Sequence, residues 1–182
     1  MYKKEMPYEL MGRSIALREF NPDYIPELFT ILSLQGRVLA SKERPVFAEV
    51  SNDFLNNFSS MKMQECLLYG VFDLETQHLH GALKLSPKQD GVGQLQTWLP
   101  DNYFIKGRYY ELLNIILPLY FLWTGRTCIN TLVEAGDAQS IYVHEMAEFS
   151  VVSEVVNRGR LYYEMLYLAP SVRTVLQPSG LA

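Results

Sequence analysis

Three stretches of this sequence carry residue types able to do chemistry. The first is Lys106-Gly107-Arg108, directly ahead of a long apolar run. A helix starting there presents unpaired backbone N–H groups and the positive end of its dipole, which together hold an anion. Gly107 lets the backbone approach that anion closely, and Lys106 and Arg108 add positive charge. The second is His78 with His80. Two apart on a strand, they would share a face and could ligate a metal. No carboxylate or cysteine motif completes that set, so a solvated strand end is the favoured reading. The third runs from Asp137, a helix cap, through Tyr142 to His144, whose imidazole ordinarily titrates near neutral pH. Cys66 and Cys128 lie inside apolar runs and read as buried and inert.

These residues need elements to place them. Residues 13–20 alternate in character and predict a strand. Asn21-Pro22 opens a helix over 23–34. Ser51 is expected to cap a second helix, with Phe54, Leu55 and Phe58 at helical spacing. Residues 65–75, 78–86 and 93–99 predict three strands of an antiparallel meander. The run 108–125 predicts a helix that is apolar nearly all round and therefore buried against a sheet. Pro118 should kink it and free the Asn114 carbonyl. A strand over 128–135 follows, then a helix from Ala138 to Phe149. A hairpin over 151–168 turns at Asn157-Arg158-Gly159. The order β-α-α-β-β-β-α-β-α-β-β places the fold in the α/β class, mixed α+β. It predicts a mostly antiparallel sheet of about six to seven strands flanked by about four helices.

A chain of 182 residues fits one domain, 1–182. With 48% apolar and 20% charged residues, it has the makings of a full core. The net charge of −4 is evenly spread, and no basic stripe offers a footprint for nucleic acid. The N-terminal MYKKEMPYEL lacks an apolar signal core. The longest apolar stretch, Leu112–Trp123, contains Asn114 and Pro118 and is too short for a bilayer. The expectation is a soluble cytoplasmic protein with reduced thiols, without nucleic-acid or membrane partners.

Taken in order, several local strings resemble the GNAT superfamily of N-acetyltransferases, in particular the branch acting on ribosomal-protein N-termini and related small amines. They are Trp98-Leu99-Pro100, then Tyr103-Phe104-Ile105-Lys106-Gly107, then Glu111. Further on come Asp137-Ala138-Gln139-Ser140 and Met146-Ala147-Glu148-Phe149. The resemblance covers roughly residues 12–168 and leaves 169–182 as a C-terminal tail. It implies a GNAT-like domain with acetyl-CoA as acyl donor. Trp98, Leu99, Ile105, Lys106, Gly107, Arg108, Asp137 and Ser140 would surround that donor, its arm running beside strand 93–99. His144 stands where many members carry a tyrosine acting as acid toward the leaving thiol. Tyr142 and Tyr103 are alternatives for that role. Glu65, Asp73 and Gln96 are positions for a base or a water-orienting group. Three positions depart from the family pattern: Ile105 replaces the first loop glycine, Asp137 an asparagine, and Glu148 the glycine before Phe149.

The implied activity is N-acetyl transfer to an amine, either a small molecule or a protein N-terminus. One alternative is a catalytically inactive GNAT-fold binding or assembly domain. Another is an acyltransferase using a different donor. A homodimer is left open.

Overall fold

The computed structural model describes residues 7–34, 46–88, 91–100, 103, 107–157 and 159–170. The expected positions Ile105 and Lys106, the turn residue Arg158 and the tail from 171 onward lie outside the described residues.

The chain forms β1 (Glu9–Met11) and β2 (Ile15–Glu19), then a 3-10 turn at Pro22–Tyr24. Next come α1 (Ile25–Leu34), α2 (Phe47–Lys62), β3 (Leu67–Asp73), β4 (Leu79–Pro87) and β5 (Gly93–Trp98). The long helix α3 (Arg108–Thr124) is followed by β6 (Cys128–Glu134), α4 (Ala138–Met146), β7 (Ser150–Asn157) and β8 (Arg160–Leu168). Among the described residues these strands make one eight-stranded sheet in the order β1-β2-β3-β4-β5-β6-β8-β7. The strand missing from the sequence reading is β1. Its three residues pair antiparallel with β2, from Glu9–Arg18 to Met11–Ala16, and are too short to show an alternating pattern.

Strand alternation builds two cores. Ile15, Leu17, Leu67, Tyr69, Val71, Leu83, Leu85 and Leu95 face α3 and α4. Ala16, Leu68, Phe72, Leu79 and Ala82 face α1 and α2, where Phe20 stacks on Phe54 at 5.3 Å. Every residue of β3 is buried, as a strand covered on both faces requires. At Gly81, a β-carbon would stand 2.1 Å from the Trp98 carbonyl oxygen, so only glycine lets β4 approach the end of β5 this closely.

Three local expectations change. The second helix begins at Phe47 with Val46 as its cap, not at Ser51, because its apolar face already starts at Val50. Cys66 is buried, but Cys128, at the start of β6, is only half-buried. Helix α3 buries one face, with Tyr109, Leu112, Leu113, Ile116, Leu117 and Tyr120, and leaves Tyr110 and Leu122 exposed. Pro118 and Asn114 both lie on the exposed side. The carbonyl that Pro118 cannot bond therefore faces water, and the helix runs on through Thr124. No helix among the described residues is long and apolar enough to cross a membrane.

Candidate functional site

Among the described residues the sheet contains one parallel pair, and it is short. β5 and β6 pair only at Gly93–Ile129 and Gln94–Asn130. From Leu95 and Thr131 onward the register carries no pair between them, while β6 stays paired with β8 along its whole length. The two strands therefore open a wedge toward their C-terminal ends. α3 begins beyond the end of β5 and α4 beyond the end of β6, so both helix N-termini stand at the wedge's mouth. This crevice outside the carboxyl ends of parallel strands is where open α/β sheets place ligands.

Gly107 caps α3 in the left-handed conformation, with φ 69°, and a β-carbon there would meet nothing within 4 Å. Asp137 caps α4: its carboxylate accepts from the Ser140 N–H at 3.1 Å and from the Ser140 hydroxyl at 2.6 Å. Asp137 and Ser140, both expected at the donor site, spend those bonds on closing the first turn of α4.

The first turn of α3 sends two side chains in different directions. Arg108 forms an ion pair with Asp73 at 2.7 Å, and a second guanidinium nitrogen lies 3.4 Å from Nδ1 of His80. Asp73 is buried at the end of β3. The Thr76 N–H, together with the Thr76 hydroxyl and Arg108, holds its carboxyl below the usual range against the opposing effect of burial. Arg108 was expected at a phosphate, and this pair directs it toward β3 and β4. Burial, with Arg108 beside it, lowers the His80 imidazole. His78 is exposed and lies before β4 rather than on it, so the two histidines do not share a strand face. Among the described residues no three potential ligands gather around a metal position.

Tyr109 points the other way, into the core. Its hydroxyl lies 2.6 Å from Nε2 of His144, and the two rings sit 4.9 Å apart. Thr97 of β5 lies beside that hydroxyl. His144 Nδ1 lies 2.7 Å from the Ser140 carbonyl, and Phe149 sets its ring edge-on at 5.3 Å. His144 is 3% exposed, and burial lowers its imidazole to about 4. It is neutral at physiological pH. The carbonyl can only accept, so Nδ1 carries the proton and Nε2 accepts from Tyr109. Burial pushes the Tyr109 phenol far up, so its proton stays on oxygen.

The other expected residues scatter. Tyr142 is 61% exposed on the outer side of α4. Glu65 is exposed ahead of β3, at the closed end of the wedge, since Leu67 aligns with Leu85 and Leu85 with Leu95. Gln96 is exposed on β5. Trp98 packs against Phe54 of α2 at 4.9 Å, and Leu99 is buried. Tyr103 is buried with its ring edge toward His80 at 5.9 Å. Glu111 ties α3 to the β1–β2 connection, accepting from the Arg13 N–H, the Ser14 N–H at 2.9 Å and the Ser14 hydroxyl at 2.6 Å. Sequence reasoning took Tyr109, with Tyr110, for core or interface packing and passed over Thr97. Their signals were present: Tyr109 is two residues after the capping glycine, and Thr97 alternates with Leu95 on the helix-facing side of β5.

A mixed sheet of this order, a two-residue parallel junction and helices starting at its open end define the fold. The chain has the GNAT fold. No protein-family model matches the sequence, and no curated protein matches it in sequence. Solved structures do match. One is the RimL ribosomal L7/L12 alpha-N-protein acetyltransferase in complex with coenzyme A, at 13% identity and TM-score 0.72, over 87% of this chain and 96% of that one. A ribosomal-protein-S5-alanine acetyltransferase from Vibrio fischeri matches at 11% identity and TM-score 0.72, over 89% and 97% of the two chains. Mutant forms of the spermidine/spermine N-acetyltransferase SpeG from Vibrio cholerae match at 14% identity and TM-score 0.68, over 89% and 98%. At such identities the likeness is one of fold. Among the described residues, the eight strands exceed the sequence expectation by one or two, and the four long α-helices agree with it.

The two sides of the wedge differ: the β6-facing edge of β5 carries no register pair beyond Gln94. On the helix side, Tyr109 fills the space between α3, β5 and α4.

Proposed function

We propose that this chain transfers an acyl group from a coenzyme A thioester to an amine, a small molecule or a protein N-terminus. The observation that carries the reading is the wedge between β5 and β6, open exactly where both following helices begin. When bound, the thioester supplies an activated carbonyl carbon with a thiol as leaving group. The chain's own residues supply placement. The positive end of the α3 dipole, which starts behind the left-handed Gly107, holds the anionic end. Unpaired backbone groups on the β6 side of Leu95–Trp98 orient the arm. His144, neutral and buried, keeps Tyr109 and the first turn of α4 in register rather than delivering a proton at neutral pH. The amine class of the acceptor agrees with the ribosomal-protein and spermidine acetyltransferases that share the fold. A cytoplasmic setting belongs to the same reading and suits the two free cysteines.

The test is calorimetric titration with acetyl-CoA and with free CoA, followed by an amine panel. Micromolar binding that is lost in a folded Gly107→Val variant supports the reading. Unchanged affinity in that variant removes the site assignment.

A second reading is a GNAT-fold domain that binds or assembles without catalysis. Two observations favour it: Tyr109 occupies the helix side of the wedge, and Arg108 is ion-paired with Asp73. Absence of CoA binding by the folded protein selects this reading.

A further inference from the structure

We propose that Tyr109 is the residue that closes the wedge to a thioester arm, and that an arm enters only when the Tyr109–His144 hydrogen bond breaks. The inference rests on the acyltransferase reading of the same wedge and adds the residue that controls its occupancy. Three elements border the wedge on its helix side: α3, β5 and α4. The Tyr109 hydroxyl joins all three, rising from the first turn of α3 to His144 Nε2 at 2.6 Å and to Thr97. An alkyl chain needs about 4 Å from each neighbouring heavy atom. A hydrogen-bonded gap therefore admits nothing between α3 and α4. Tyr109 has no exposed surface and cannot step aside within its present packing. Its partner is clamped in turn, by the Ser140 carbonyl at 2.7 Å and by the Phe149 ring at 5.3 Å. The latch is polar at its tip and apolar along its ring. Thr97, half-buried where β5 has parted from β6, is where an arm would first meet it.

The experiment titrates acetyl-CoA, and separately pantetheine, into wild type, Tyr109→Phe and Tyr109→Leu, with circular dichroism as the folding control. Leucine fills the inner part of the site but does not reach His144. Phenylalanine keeps the ring and removes the latch. The expected result is affinity at least tenfold tighter for Tyr109→Leu and at least threefold tighter for Tyr109→Phe, for both probes. Equal affinity in all three proteins overturns the inference while leaving the acyltransferase reading in place. No binding by any of them overturns both. Binding by the variants alone supports the closure and removes catalysis with this donor from the wild-type chain. Should Tyr109→Leu not fold, the threefold gain in Tyr109→Phe decides alone.

Discussion

The Tyr109 hydroxyl donates to Nε2 of His144 across 2.6 Å, and this bond joins the first turn of one helix to the last turn of another. It fixes a neutral imidazole with its proton on Nδ1, facing the Ser140 carbonyl. The arrangement is satisfied while the ring is neutral. Protonation at Nε2 would set two donors against each other inside the core.

That conflict predicts a pH dependence. The folded imidazole titrates at about 4, below its ordinary value of 6.5. The unfolded chain therefore binds the proton more readily. Stability from this group is complete above about pH 6.5 and falls as pH drops toward 4, by about 3 kcal/mol in all. Urea denaturation from pH 7 to pH 4 should show this slope, and His144→Phe should flatten it. Side-chain nitrogen shifts of His144 should report the Nδ1–H tautomer at pH 7.

Glu148 adopts φ 66°, in the region that favours glycine. It follows the Ala147 cap of α4, where the Glu148 N–H bonds the Glu145 carbonyl at 2.8 Å and the Phe149 N–H bonds the His144 carbonyl at 2.9 Å. This is a left-handed helix stop whose usual occupant is glycine. Glu148→Gly should stabilise the protein by about 0.5–1 kcal/mol. A lower thermal midpoint in that variant would contradict the assignment.

Asp73 caps its own turn and pairs with Arg108 from a nearly buried position. Asp73→Ala leaves the guanidinium without this carboxylate and the Glu75 and Thr76 N–H groups without their acceptor. The expected cost is about 2–3 kcal/mol in chemical denaturation. The carboxylate is held below its usual range, so its contribution persists above about pH 4 and is lost in stronger acid.

Glu111 accepts three hydrogen bonds from the Arg13–Ser14 segment. Burial opposes its ionised form, but the bonds from Ser14 and Arg13 outweigh that and lower the carboxyl. Glu111→Ala should cost about 2 kcal/mol. It should also raise hydrogen exchange at the Ser14 amide well before the β3 amides respond. Equal protection at Ser14 in variant and wild type would show that α3 is held to β2 by packing alone.

Much of the fold was legible in residue order. Apolar runs bounded by turn signals set β3, β4 and β5, the Asn157–Gly159 turn set the β7–β8 hairpin, and Asp137 marked the start of α4. These signals are local, each carried by neighbours in the chain. The motif around Lys106-Gly107 and Glu111 likewise marked where α3 begins. Sequence could not assign partners across the sheet. Nothing near Arg108 announces Asp73, 35 positions earlier, and nothing near Tyr109 announces His144, 35 positions later. Those pairings exist because the path of the chain brings the first turn of α3 against the end of β3 on one side and the last turn of α4 on the other. A hydrogen bond over such separations is decided by the path of the backbone, so residue types fixed the chemistry available and only the tertiary structure decided which groups meet.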